Sequence, residues 1–150
     1  MISTSLDATD RVILSELIRN GRASYKELGE LADLSPHAVA PRVRRLVEAG
    51  IVTDFTALVD FGHLGRGLDA LIDLRLLSSA RPEAFEAAAG ELPSIREVSF
   101  VTGRFDYQLR AACVDADDLD HTVRALRTAG AAVTETRIVL RTQTFLRPVR

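Results

Sequence analysis

The apolar positions of this chain change their period once, near residue 50. Before that point they recur at steps of three and four residues. Ile13, Leu14, Leu17 and Ile18 mark one stripe, Leu28 and Leu31 a second, and Val39, Val43, Leu46 and Val47 a third. That spacing predicts three helices, each burying one face. Each helix also carries a start signal. Asp7 and Asp10 suit the positive N-terminal end of a helix predicted over Asp7–Asn20, which stops at Gly21. Ser24 and Glu27 form a capping box, in which serine and glutamate each satisfy the other's free backbone amide. Ser35 caps the third helix, with Pro36 at its first position, where the missing N–H costs nothing. That helix ends at Ala49-Gly50. Only Asp33 and Leu34 separate the second helix from the cap of the third, and Leu34 is expected to pack among all three. So tight a turn between short helices is the helix-turn-helix plan, whose second helix enters the DNA major groove.

After Gly50 the period falls toward two. IVTDFTALVD reads as a strand, or two short ones, serving as wing, linker or dimer contact. It leads into FGHLGRG, where three glycines in seven residues suggest a domain boundary. From Gly67, Leu68, Ala70, Ile72, Leu74 and Leu76 alternate with the other face of a half-buried strand. A helix follows over Pro82–Leu92, burying Phe85, Ala88, Ala89 and Leu92. Strands over Ile95–Thr102 and Asp106–Val114 come next, joined at Gly103-Arg104-Phe105. A helix capped by Asp115 or Asp117 presents Leu119, Val123 and Leu126, and a last strand covers about Val133–Leu146. The class is α+β: an N-terminal (winged) helix-turn-helix followed by a ferredoxin-like βαββαβ domain. The expected division is residues 1–50, a strand and linker over 51–66, and a ligand-sensing, oligomerising domain over 67–150. Such a sheet carries both helices on one face, and a second copy is expected to cover the other.

Composition narrows the partners. Hydrophobic residues make up 47% of the 150, enough for packed cores, and no run approaches the roughly 18 apolar residues of a membrane span. No basic region followed by an apolar run opens the chain, so a cytoplasmic protein is expected. Cys113 is the single cysteine, which excludes an intrachain disulfide framework and a Cys-rich zinc site; it reads as a small buried hydrophobe. Net charge is −2, and residues 1–50 balance seven basic against seven acidic side chains. Bulk charge therefore does not argue for nucleic acid. The local cluster Arg42, Arg44 and Arg45 on the third helix does, with a footprint modest enough to call for assembly. Arg42 and Arg45 lie one turn apart and share a face; Arg44 points elsewhere. The candidate DNA contacts are Ser24, Tyr25, Ser35, Pro36, His37, Arg42 and Arg45. Ser35 and Pro36 are first of all a helix start, which also attracts phosphate. His37 sits where base readers sit, and Tyr25 suits either phosphate or core packing. Catalysis has little support in the pattern. His37, His63 and His121 are scattered, and no HxxxH, CxxC, GxSxG or phosphate loop appears.

The segment LDATDRVILSELIRNGRASYKELGELADLSPHAVAPRVRRLVEAGIV resembles the helix-turn-helix of the Lrp/AsnC (feast/famine) transcriptional regulators, from its opening LDxxD to its closing EAGIV. GHLG, VTGRFDYQLR and TRIVL are similar to landmarks of that family's effector-sensing domain. The resemblance implies double-stranded DNA as partner, and homodimers assembling to larger even-numbered particles, commonly octamers. It also implies a small effector, usually an amino acid, held between dimers near the G-x-x-D turn. Carried onto this chain, the effector residues are Thr102, Gly103, Arg104 and Asp106, with Thr134 and Thr136 as further liners. Asp106 would meet an ammonium group, and amides of the Gly103 turn a carboxylate. No cofactor or metal is implied. Two residues depart from the family pattern. Pro41 stands in the recognition helix where arginine is frequent, and removes a backbone bond to the His37 carbonyl. Gly29 stands where alanine is common, a weakening of about 1 kcal/mol unless a close contact needs it. Two other readings compete: an effector-independent DNA-compacting protein, and a tetrapyrrole-pathway decarboxylase of similar architecture, for which the arginine-bearing recognition helix would be surplus.

Overall fold

The three N-terminal start signals each open a helix. The computed structural model describes residues 5–149. Helix α1 spans Ala8–Arg19, α2 Tyr25–Ala32 and α3 Pro36–Glu48. Asp7 and Asp10 are a reciprocal capping box as complete as that of Ser24 and Glu27. Ser35 Oγ accepts from the Ala38 amide. Ile13, Leu14, Leu28, Val39, Val43 and Leu46 form the core of this part, with Leu17, Leu34 and Val52 packed against it.

Leu31 and Val47, expected inside, are 56% and 43% exposed, and Ile18 is 38% exposed. With eight residues α2 has little more than two turns, and Leu28 already fills its contact with the other helices. The turn after α2 is fixed at two points. Asp33 adopts the left-handed conformation, φ 53°, and the amides of Asp33 and Leu34 both return to the Gly29 carbonyl. A Cβ on Gly29 would stand 2.4 Å from the Leu34 carbonyl oxygen. That separation is far inside contact distance, so the glycine is what lets the turn close on the helix.

Residues 51–60 form no strand within the chain, contrary to the expected strand or wing. An alternating segment becomes a strand only beside a ladder partner, and none of the described residues pairs with it. A 3₁₀ turn follows at Phe61–Leu64, closed by Gly65 at φ 75°. Next come β1 (Leu68–Leu76), α4 (Pro82–Gly90), β2 (Ile95–Phe100), β3 (Tyr107–Cys113), α5 (Ala116–Thr128) and β4 (Ala131–Ile138). Asp115 caps α5, donated to by the Asp118 amide. Helix α4 stops short of the expected Leu92, and Ala88 on it is exposed. Strand β4 starts two residues earlier and ends eight earlier than expected. Ile138 pairs with Ala70, Val139 N donates to the Asp69 carbonyl, and the pairing of β4 with β1 ends there.

The sheet is antiparallel throughout, in the order β2-β3-β1-β4. This is the ferredoxin-like arrangement, with its edges at β2 and β4. One face packs Ile72, Leu74, Tyr107, Leu109 and Cys113 against Phe85 and Ala89 of α4 and Leu126 of α5. Burial pushes the Cys113 thiol above its ordinary range. The other face is crosslinked by charge. Arg110 donates two bonds to the Asp69 carboxylate, at 3.1 and 2.6 Å, while Asp73 accepts from Gln108 and pairs with Arg137.

Contacts divide the chain into two units. One runs to Leu58 and takes in the segment from Gln143; the other is Val59–Thr142. The C-terminal segment thus joins the helical unit, where Val149 N donates to Ser15 Oγ at 3.0 Å. It does not stay with the sheet, as a second domain running to residue 150 would require.

Candidate functional site

Helix α3 has three distinct flanks. Val39, Val43 and Leu46 are buried. At about 100° per residue, Arg42 and Arg45 fall on the side toward α1, and both reach it. Arg42 Nη1 donates to Asp7 Oδ2 at 2.6 Å and to Asp10 Oδ1 at 2.8 Å, and Arg45 Nη2 donates to Asp10 Oδ2 at 2.5 Å. Asp10 is fully buried, while the arginine side chains remain 28% and 49% exposed. A buried carboxylate is stable only with such partners. The Arg42 hydrogen bond, together with the Asp10 amide at the helix cap, holds the Asp7 carboxyl below its usual range, and Asp7 raises Arg42 in return. The two arginines expected to face DNA are therefore first a crosslink between the first and third helices.

The remaining flank carries His37, Pro41, Arg44 and Glu48, spaced by four, three and four residues, and all are exposed. Among the described residues Arg44 has no hydrogen bond or ion pair. The sequence did hold this signal. Counting from His37, the positions one and two turns on are Pro41 and Arg44, not Arg42 and Arg45. Ser24, Tyr25, Ser35 and Pro36 are exposed at the N-terminal ends of α2 and α3. The Ser24 hydroxyl and amide both bond the Glu27 carboxylate, which lies below its ordinary pKa as a result. Tyr25 is 47% exposed, which removes the core-packing reading for it.

In the second unit the candidate residues follow β2. Thr102, Gly103 and Arg104 are exposed, Gly103 has φ 115°, and nothing lies within 4 Å of where its Cβ would be. Asp106 is occupied. Its Oδ2 accepts from Leu76 N at 2.9 Å, its amide donates to the Leu74 carbonyl, and its carbonyl accepts from Val101 N. The Arg104 carbonyl accepts from Arg75, and the Arg104 guanidinium lies over the Phe105 ring at 5.1 Å. These contacts pin the turn to the end of β1. Thr134 pairs with Leu74 from the other side of β1 and accepts from Arg127 at 2.8 Å; Thr136 is exposed. The two threonines stand about two strand spacings, roughly 10 Å, from the turn. Behind the turn, Tyr107 donates to Glu86 at 2.6 Å and packs at a tilt against Phe85 and edge-on against Phe100, the last 74% exposed. Burial, reinforced by Glu86, pushes the Tyr107 phenol up to about 12.

Among the described residues no group of His, Cys, Asp and Glu is placed to hold a metal ion. No helix among them is long and apolar enough to cross a membrane.

Both regions coincide with known domain families. Residues 6–47 match the AsnC-type helix-turn-helix domain, and residues 69–146 match the Lrp/AsnC ligand binding domain. The chain belongs to the Lrp/AsnC family. It is 32% identical over 136 residues to an HTH-type transcriptional regulator of Mycobacterium tuberculosis, covering 90% of this chain and 92% of that one. It is 38% identical over 113 residues to the leucine-responsive regulatory protein of Escherichia coli, covering 73% and 68%. A Neisseria meningitidis transcriptional regulator solved as its complex with L-methionine superposes with a TM-score of 0.86 at 31% identity, over 97% of each chain. This Lrp/AsnC chain is accordingly a transcriptional regulator, with a DNA-binding helix-turn-helix and a domain of the ligand-binding type.

Proposed function

We propose that this regulator binds specific duplex DNA through α3 and that an amino-acid effector, held near the Thr102–Asp106 turn, changes its assembly and its DNA affinity together. The observation that carries the DNA part is the third flank of α3, a solvent-facing row on a helix whose other two flanks are committed to the fold. Ser24, Tyr25, Ser35 and Pro36, at the starts of two helices, suit phosphate, and His37 opens the row that faces the bases. Arg42 and Arg45 keep exposed guanidinium edges and add positive potential beside it.

For the effector, the support is a turn with three exposed residues, an open glycine and a ligand-type domain family, together with the methionine complex of the Neisseria neighbour. Higher assembly has its own support in large apolar side chains left in water, Phe55, Leu58, Val59, Leu140 and Phe145 among them. A dimer that builds to an octamer would cover them and multiply a weak single footprint. Its place is the cytoplasm.

The test joins two measurements on the full chain. DNA affinity is followed against salt for wild type, whose log K should fall linearly with log salt at a slope of about −0.9 for each phosphate neutralised. A thermal-shift screen of the twenty amino acids should find one that raises the melting temperature and also moves light scattering and DNA affinity by linkage. Salt-independent or absent DNA binding would overturn the first half. A screen in which no amino acid shifts stability would overturn the second and leave an effector-independent, DNA-compacting role.

A further inference from the structure

Resting on the DNA-binding reading, we infer that sequence is read by Arg44 and Pro41: Arg44 takes a guanine, and the Pro41 ring takes the methyl group of a neighbouring thymine. The two residues are three apart on the exposed flank of α3, so their side chains lie side by side along the helix. Their surroundings assign the chemistry by elimination. The other two cations of the helix are held on the α1 side by Asp7 and the buried Asp10. Arg44 alone among them is unengaged among the described residues. A free guanidinium in the major groove finds its best match in the paired O6 and N7 acceptors of guanine.

Pro41 has neither a side-chain donor nor a backbone N–H, so it offers the groove only an apolar ring. The one apolar group that a base presents there is the C5-methyl of thymine. The ring is also stiff and lies within an unbroken helix from Pro36 to Glu48. It therefore fixes where that methyl must sit relative to the guanine, without the entropy cost of ordering a long side chain.

The test uses the full chain and a randomised duplex pool. Wild-type protein should select half-sites in which a guanine lies close to a thymine. Replacing that thymine by uracil keeps the base pair and removes only the methyl; affinity should drop about fourfold, the worth of one buried carbon. Pro41→Ala restores the backbone bond to His37, so it should fold at least as well, judged by a higher melting temperature. It should bind the thymine and uracil duplexes equally. Arg44→Ala should lose the guanine preference, about tenfold or more, while still binding DNA. Equal uracil penalties in wild type and Pro41→Ala, or an unchanged guanine preference in Arg44→Ala, would overturn the inference and leave the DNA-binding reading standing. If the wild-type chain enriches no sequence at all, both fall together.

Discussion

Helix α3 and the turn at Thr102–Asp106 both bear charged residues that look made for a ligand, and both turn those residues inward. They differ in what remains outside. On α3 the inward pairs Arg42–Asp10 and Arg45–Asp10 lie on one flank of a regular helix, so a whole second flank with His37, Pro41 and Arg44 is left presentable. At the turn the inward residue, Asp106, is itself the one expected to bind, and backbone is what remains: Gly103 and the amides around it. A helix can serve structure and recognition at once because it has sides. A turn of five residues has none to spare, and any ligand there meets main chain first.

The sharpest way to break the first half of this contrast is to remove Asp10. Asp10→Ala leaves two guanidinium groups facing a site built for a carboxylate, and should destabilise the helical unit by about 3 kcal/mol, measured by denaturant unfolding of the full chain. Arg42 and Arg45 remain partly in water, which keeps the loss at the low end for a broken buried pair. A loss within the scatter of ordinary surface substitutions would mean that the crosslink is decoration, and that both arginines are free for DNA after all.

Gly29→Ala addresses the same unit with a smaller effect. The added Cβ would collide with the Leu34 carbonyl, and the turn that sets α3 against α2 must open; about 1–3 kcal/mol is expected. DNA affinity should fall with it even at temperatures where the variant is folded. If Gly29→Ala were as stable as the parent, α2 and the turn would have room the geometry denies.

Much of this was written in the sequence, and the rest was hidden for identifiable reasons. Capping residues act within four positions of their targets, so Ser24, Glu27 and Ser35 announced α2 and α3 directly. Asp7 and Asp10 were recognisable as suited to a helix start. Their bonds to Arg42 and Arg45, 32 to 35 residues away, depend on how two helices cross and leave no local trace. Periodicity found the sheet and the face it buries, because Ala70, Ile72 and Leu74 of β1 and Tyr107, Leu109 and Ala111 of β3 are buried at every second position. It overreached for residues 51–60 and for the tail of β4, because alternation records a capacity to pair and not the presence of a partner. For Asp106 the chemistry of the residue was legible, but its acceptor role toward Leu76 N needed the register of β1 against β3.

On the turn's side, Asp106→Ala should cost about 1–2 kcal/mol, since it strands the Leu76 amide. Asp106→Asn is the more discriminating variant because it keeps an acceptor oxygen and drops the charge. Near-parental stability is expected for it. Its response to an amino acid found in the thermal-shift screen then separates two roles. A lost response assigns the charge to the ligand's ammonium group, and a full response leaves Asp106 as the pin of the turn.

The smallest expected effect lies just behind the turn, at Tyr107. Its hydroxyl donates to Glu86 from a buried ring, and Glu86 itself is exposed. In Tyr107→Phe the carboxylate can hydrate, so at neutral pH the loss should be only about 0.5–1 kcal/mol. The alkaline range is more telling. The phenol keeps its proton to about 12 in the folded protein, against an ordinary 10.0. A raised value means that the folded state binds the proton more tightly than the unfolded chain. The stability this group contributes is therefore whole below pH 10 and is lost as pH climbs through about 12. Wild-type protein should lose stability faster than Tyr107→Phe across that window, and the difference in tyrosinate absorbance between the two should rise near its upper end. A difference spectrum with its midpoint near pH 10 would mean that Tyr107 is solvated. The support behind the turn would then be looser than the aromatic packing of Phe85, Tyr107 and Phe100 implies.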